Sequence, residues 1–208
     1  KPETVASYEI GYKGIIGKKL LVDAYYYFSN YKDFIVSVAV GQAQADNAGK
    51  LPMYSPFSTN NVSYNQNSTA TVKSNGWGIG LEYKVIKNYI VYGNLFSDVL
   101  KDVPTGEITY FNAPKYRYNI GLRNDDVCHG LGFNVVFKWQ DNNYYEGTFV
   151  SGTLPYFGWW DAQVSYRPKG TKSVFRAGGT NLGNFYARTG YGSPSVGGLY
   201  YISYGYNL

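Results

Sequence analysis

The single histidine of this chain, His129, stands next to Cys128 and close behind Asp125 and Asp126. Such a group could supply the base and orienting carboxylate of a hydrolase, or two metal ligands. A serine hydrolase needs its nucleophile, base and orienter within hydrogen-bonding reach, and the sequence contains no Gly-x-Ser-x-Gly elbow. A closed zinc site needs about four ligands. We therefore interpret residues 128–129 as part of a turn and expect no catalytic site, metal or cofactor.

Two carboxylates on separate segments, Glu9 and Asp161, could also be read as a general acid and base. Each of them occupies a regular position in an alternating pattern of apolar and polar residues. A charge on the polar face of a strand explains both residues without catalysis. We expect this protein not to be an enzyme.

The alternating pattern runs along most of the chain. In residues 79–84, for example, Ile, Leu and Tyr alternate with Gly, Glu and Lys. Side chains of a β-strand point alternately to its two faces, so each segment has one apolar and one charged face. This arrangement is typical of a barrel wall that separates lipid from a polar lumen.

The composition favours strands, with 24 Tyr, 11 Phe and 4 Trp among 208 residues. No stretch approaches the roughly 18 apolar residues of a transmembrane helix, which excludes a helical membrane protein but not a barrel. The net charge is +5, but Lys and Arg are spread without a basic stripe. We therefore expect no nucleic-acid partner.

Nine strands are predicted, separated alternately by short turns and long loops. They cover residues 4–14, 19–37, 73–85, 88–99, 115–123, 130–144, 157–167, 173–182 and 197–208. The predicted short turns are 15–18, 86–87, 124–129 and 168–172, and the long loops lie near 38–72, 100–114, 145–156 and 183–196. Bacterial outer-membrane barrels have short periplasmic turns and long extracellular loops. The alternation therefore predicts the direction of every strand across the membrane.

The pattern also predicts two groups of candidate functional residues. The residues expected to face the lumen or a domain inside it are Glu9, Asp23, Glu82, Arg117, Arg123, Lys138, Asp161 and Arg176. The loop aromatics expected to contact a ligand by stacking are Tyr54, Phe57, Tyr64, Phe111, Tyr144, Tyr145, Tyr186 and Tyr191.

Alternation alone leaves a second fold open. In a soluble β-sandwich the apolar face would form the core and the charged face would meet water. Strand length, loop alternation and the many tyrosines favour the membrane. Complete single-chain bacterial barrels have an even number of strands, so nine strands suggest the C-terminal part of a larger barrel. One miscounted strand would also explain the odd number.

Four stretches resemble the C-terminal barrel portion of the TonB-dependent outer-membrane receptors. They are residues 1–13 (KPETVASYEIGYK), 112–122 (NAPKYRYNIGL), 181–186 (NLGNFY) and 197–208 (GGLYYISYGYNL). Each motif is weak alone, but they occur in the family's order along the whole chain.

The resemblance implies an all-β, antiparallel, up-and-down transmembrane β-barrel, with residues 1–208 forming about nine C-terminal strands of a 22-stranded barrel. It also implies an N-terminal plug domain and a TonB box, both expected outside these residues. The implied function is import of a scarce nutrient (siderophore, cobalamin, haem or glycan) with TonB-supplied energy. The implied partners are the lipid bilayer, the plug and remaining strands, the TonB complex and a small-molecule or glycan ligand. The alternatives are a passive channel or small structural barrel, and a soluble extracellular β-sandwich.

Overall fold

The computed structural model describes residues 1–41, 61–147 and 150–206, and every regular element in these ranges is a β-strand. The strands are β1 (Thr4–Ile16), β2 (Leu20–Lys32), β3 (Ile35–Gly41), β4 (Asn61–Asn67), β5 (Val72–Ile86), β6 (Tyr89–Lys101), β7 (Glu107–Ile108), β8 (Tyr116–Cys128), β9 (Leu131–Gln140), β10 (Asn143–Tyr145), β11 (Gly152–Leu154), β12 (Phe157–Tyr166), β13 (Ser173–Thr180) and β14 (Leu199–Tyr206). No helix in these ranges is long and apolar enough to cross a membrane.

Nine of the strands form one antiparallel sheet in the order β1-β2-β5-β6-β8-β9-β12-β13-β14. Each strand lies beside the long strand that follows it in the chain, which is an up-and-down arrangement. All nine predicted strands are present, and the predicted all-β antiparallel fold is confirmed. The sheet is open in the described ranges, with β1 and β14 at its two edges.

All short connections lie at one end of this sheet and all long connections lie at the other. The short-turn end carries residues 17–19, 87–88, 129–130 and 167–172. The long-loop end carries the described parts of the connections 33–71, 102–115, 141–156 and 181–198. The predicted alternation of connections is therefore present. The three-stranded sheet β4-β3-β7 and the hairpin β10-β11 are built from the long connections.

The β8–β9 turn explains the position of the single histidine. His129 and Gly130 have φ angles of 51° and 87°, and Cys128 pairs with Leu131. Positive φ at both central residues is the requirement of a type I′ turn, the preferred two-residue hairpin connection. The turn predicted over residues 124–129 was too long, because β8 continues through an irregularity between Asn124 and Cys128.

Two predicted strands extended too far. The second was predicted to reach residue 37, but β2 ends at Lys32 and Asp33 adopts a left-handed φ of 54°. The chain then forms β3, which pairs with β4 and β7 instead of β5. The sixth was predicted to reach residue 144, but β9 ends at Gln140 and β10 pairs with β11. The long loops therefore contain regular structure that the alternation did not predict.

The nine-stranded sheet has no conventional core. One face, here called the apolar face, exposes large side chains such as Ile10 (73%), Tyr200 (60%) and Ile202 (89%). The buried hydrophobic residues in the described ranges are Val36, Val72, Val136, Leu154, Phe157, Val174 and Ala187. A large exposed apolar surface marks a contact with protein or membrane. The sheet therefore has one face that is suited to such a contact and a second face of different composition.

Candidate functional site

The face opposite the apolar face is here called the polar face. The strand register places all eight residues predicted to face the lumen on it: Glu9, Asp23, Glu82, Arg117, Arg123, Lys138, Asp161 and Arg176. That they share one face follows from the pairing. That this face meets a lumen or a plug remains a prediction.

Six of these eight residues take part in ion pairs. Lys13 Nζ lies 2.8 Å from the carboxylate of Asp23, and Lys138 Nζ lies 2.7 Å from that of Asp161. Such pairs contribute only about 0–1 kcal/mol when exposed, since water screens them. The Asp161 side chain is only 11% exposed and also accepts a hydrogen bond from the buried backbone N–H of Asn181. Asp161 is therefore the best-anchored charge of the polar face.

Two further pairs involve the arginines of β8. Arg123 donates to Glu82 at 2.7 Å across the intervening strand β6, and Arg117 donates to Asp98 on β6. The Arg123 guanidinium also lies 5.6 Å from the ring centre of Tyr92, in reach of a cation–π contact. These contacts hold both cations against the wall.

The other two predicted residues make no ion pair in the described ranges. Glu9 lies opposite Tyr27, and Arg176 lies opposite Ser165 on one side and Ser203 on the other. Both side chains are therefore available to groups outside these strands.

Tyrosines on the polar face connect strands that are not neighbours. Tyr27 on β2 is the register partner of Gly76 on β5, and its hydroxyl donates to Asp98 on β6 at 2.8 Å. A Cβ atom on Gly76 would collide with the Tyr27 ring and with Asp98. The missing side chain of the glycine thus opens the path for the phenol.

The same arrangement occurs twice more. Tyr92 on β6 lies over Gly121 on β8 and donates to Asn134 on β9 at 2.8 Å. Tyr201 on β14 lies over Gly178 on β13 and donates to Gln163 on β12 at 2.9 Å. We call each three-strand unit a tyrosine–glycine bridge. The bridges tie polar groups together without adding charge.

At the long-loop end, the 102–115 connection is attached on both sides by carboxylates. Towards β4, Glu107 accepts hydrogen bonds from the backbone N–H and hydroxyl of Thr69, at 3.0 and 3.2 Å. Towards β10, Glu146 accepts from the N–H and hydroxyl of Thr109 and from the N–H of Tyr110, at 2.7–2.9 Å. Hydrogen bonds to ionised groups are about twice as strong as neutral ones. The two carboxylates hold three long connections side by side.

A fourth connection joins this set through aromatic contacts. The rings of Tyr145 and Tyr191 lie 6.1 Å apart, and the Tyr191 hydroxyl donates to the backbone oxygen of Thr153 at 3.0 Å. The described parts of the four long connections therefore form a continuous band, here called the loop band.

Two cavities open at the long-loop end, and predicted ligand-contacting residues line both. The Phe111 pocket, about 370 Å³, contains Phe111 and Tyr144. The Tyr186 pocket, about 280 Å³, contains Tyr186 and Tyr191. Small-molecule sites usually occupy about 300–1,000 Å³. The Phe111 pocket falls within this range, and the Tyr186 pocket lies just below it.

The other predicted aromatics have different positions. Tyr145 contacts Tyr191 beside the Tyr186 pocket, whereas Tyr64 is exposed on β4 and donates to Gln66 at 3.1 Å. Tyr54 and Phe57 lie outside the described residues.

Sequence reasoning missed several residues of these sites. Arg188 lines the Tyr186 pocket, and Lys115 lines the Phe111 pocket together with the carboxylates of Asp98 and Glu146. Neither cation stands out from the surrounding polar loop sequence. Glu107 and Glu146 were missed because their partners are 36–38 residues away. The bridge tyrosines were detectable, because each falls on the charged parity and not on the apolar parity.

Comparison with known proteins matched the chain to one family model and to several solved structures. The family model described as "TonB dependent receptor-like, beta-barrel" matches residues 1–182. A comparison with curated protein sequences found no match.

Several solved structures share the fold. The FrpB iron transporter from Neisseria meningitidis superposes with a TM-score of 0.70 at 14% identity, over 99% of this chain and 30% of that one. The siderophore receptor PirA from Acinetobacter baumannii gives 0.70 at 18% identity, over 99% and 32%. The copper transporter OprC gives 0.71 at 15% identity, over 98% and 31%. The present chain thus spans about a third of these proteins.

Proposed function

The chain belongs to the TonB-dependent receptor-like β-barrel family, and we propose from this that it forms part of the wall of a transporter importing a scarce nutrient with TonB-supplied energy. The family consists of outer-membrane β-barrels. The match of the family model over residues 1–182 is the observation that carries this proposal.

The two faces of the sheet support the proposed placement in a membrane. The apolar face would contact lipid, where its exposed Ile10, Ile202 and Tyr200 are favourable. The polar face would contact water and an N-terminal plug domain, whose polar groups could bond to Glu9 and Arg176. A sandwich would instead bury the apolar face under a second sheet, and none covers it in the described ranges.

The ends of the sheet support an orientation. We propose that the short-turn end lies in the periplasm and the long-loop end outside the cell, as in bacterial barrels generally. This places the Phe111 and Tyr186 pockets where a nutrient arrives. Their aromatic rings would stack on a ligand, and Arg188 in the Tyr186 pocket would attract an acidic group on it.

The proposed nutrient is a siderophore, cobalamin, haem or a glycan. The similar solved structures include iron, copper and siderophore proteins. The aromatic rings of both pockets suit a ligand with flat groups, and the Tyr186 pocket with Arg188 also suits an acidic group. Catalysis is not proposed, because His129 is a turn residue at the end of the sheet farthest from both pockets.

Uptake by living cells tests the proposal. Cells that carry the intact protein are offered ferric siderophores, haem, cobalamin and oligosaccharides, each labelled. We expect uptake of one class, lost on deletion of the protein and also on deletion of TonB. Uptake that persists without TonB would establish a passive channel instead.

Variants then test the pockets. Tyr144→Ala and Tyr186→Ala should each weaken ligand binding by about tenfold, the usual effect of removing an aromatic anchor. Tyr204→Ala is the control, since this tyrosine is 61% exposed on the apolar face. Unchanged binding in both pocket variants would exclude these cavities as the ligand site.

A further inference from the structure

A groove of about 560 Å³ runs along the apolar face near the short-turn end. It is open because Gly93 contributes no side chain among its larger neighbours. Its walls include Leu20, Leu81, Val91 and Ile120. The lining is aliphatic and aromatic, which suits a hydrocarbon chain and not a polar ligand.

Lysines stand where the groove reaches the end of the sheet. Lys18 and Lys19 form the β1–β2 turn, directly before the groove residue Leu20, and Lys87 is in the β5–β6 turn. The two turns are neighbours, because β2 pairs with β5 and the N–H of Lys84 donates to the backbone oxygen of Lys19 at 2.9 Å. All three lysines of the turns are exposed and make no ion pair in the described ranges.

The basic cluster is local. The next hairpin along the sheet is acidic at its short-turn end, where Asp125 and Asp126 lie in the last residues of β8. One Asp126 oxygen accepts a hydrogen bond from the Gly130 N–H at 2.9 Å. The β12–β13 turn is basic as well, with Arg167, Lys169 and Lys172, but it has no part in the groove. Lys18, Lys19 and Lys87 are thus the basic turn residues that adjoin the groove, beside Leu20 and Tyr83.

We propose that this place is a binding site for one anionic phospholipid. Its acyl chain would occupy the Gly93 groove, and its phosphate would lie among Lys18, Lys19 and Lys87. Two features support a lipid: the groove is continuous with the apolar face, and the positive charge lies at the end of the sheet where a headgroup would be. The site depends on the proposed membrane placement, but not on the nutrient.

Lipid titration followed by native mass spectrometry tests the site on the intact protein. We expect tighter retention of phosphatidylglycerol than of phosphatidylcholine. Replacing all three lysines by Gln should weaken phosphatidylglycerol binding by roughly fivefold per lysine removed. The matched control replaces Arg167, Lys169 and Lys172 by Gln, which removes three charges from a turn without a groove.

A second variant tests the groove. Gly93 is unsuitable for substitution, since a Cβ atom there would lie 2.9 Å from the backbone oxygen of Asn119. Val91→Trp fills the groove from its wall and should also release the lipid. Val164→Trp is its control, because Val164 is a similarly exposed residue of the apolar face on β12.

Equal retention of both lipids, or retention unchanged in the triple-lysine and Val91→Trp variants, would overturn the site. Loss in the control variants to the same extent would do the same, because it would show non-specific lipid contact. Nutrient uptake is measured separately, so failure of the lipid site is distinguishable from failure of the transport proposal.

Discussion

The ring of Tyr27 lies over Gly76, its register partner on the neighbouring strand, and reaches a carboxylate on the strand beyond. The glycine is required by space and not by backbone conformation. Because Gly76 has no side chain, the phenol of Tyr27 crosses it and connects β2, β5 and β6 on the polar face. Three such bridges are distributed over the sheet, so local sequence changes at glycines should affect the whole wall.

Gly76→Ala should destabilise the protein by about 1–3 kcal/mol, because the new methyl group overpacks against Tyr27 and Asp98. Urea unfolding of the intact protein in detergent micelles measures the change. Gly80→Ala is a close control on the same strand and face, where the nearest atom to a new Cβ would be 3.7 Å away. Equal effects of the two substitutions would contradict the bridge.

Asp161→Ala should cost about 1–3 kcal/mol, since the buried N–H of Asn181 loses its acceptor and Lys138 its partner. Asp23→Ala should cost no more than about 1 kcal/mol, because its pair with Lys13 is exposed. The same unfolding measurement compares the two. A larger effect at Asp23 would show that burial does not determine the strength of these pairs.

Two substitutions on β1, Ile10→Arg and Glu9→Arg, test which face of the sheet contacts lipid. They are comparable because these neighbouring residues lie on opposite faces. A lipid-facing arginine near mid-membrane costs about 2–4 kcal/mol. We therefore expect Ile10→Arg to lower assembly in the membrane, measured as the folded fraction in purified outer membranes. Glu9→Arg should assemble normally. The reverse result would mean that the two faces have been assigned the wrong way round.

Glu146→Ala should loosen the 102–115 connection, because three donors on Thr109 and Tyr110 lose their shared acceptor. Hydrogen exchange of the two backbone amides should accelerate by about tenfold, as expected for losing a charged hydrogen-bond partner. Asp141→Asn serves for comparison, because that carboxylate binds only the N–H of Asn142 next to it. Unchanged exchange in Glu146→Ala would show that other contacts hold the connection.

The large sheet could be predicted because the pattern that specifies each strand lies within the strand's own sequence. A period of two places Lys138 and Trp139 on opposite faces wherever the strand pairs, so the number of strands and their faces follow from the sequence. The end of β2 could not be predicted in this way. Residues 35–37 continue an apolar pattern, but Asp33 turns the chain towards a different partner.

The candidate site was predicted only in part for the same reason. The aromatic residues of the long loops were predicted as ligand contacts, and Phe111 and Tyr186 among them line the two cavities. The contacts that give the cavities their shape join distant residues, as between Glu146 and Thr109. Neither Glu146 nor Thr109 differs in its neighbouring sequence from other polar loop residues, so their contact cannot be recognised from the sequence alone.

The loop band has a consequence for the engineering of new specificities. Since Glu107 and Glu146 fasten the 102–115 connection to its neighbours on both sides, no one of these connections is an independent module. Grafting a single loop from another receptor would leave donors such as the Thr69 N–H without acceptors. Functional exchange would require loops to be transplanted as adjoining sets, together with the carboxylates that fit them.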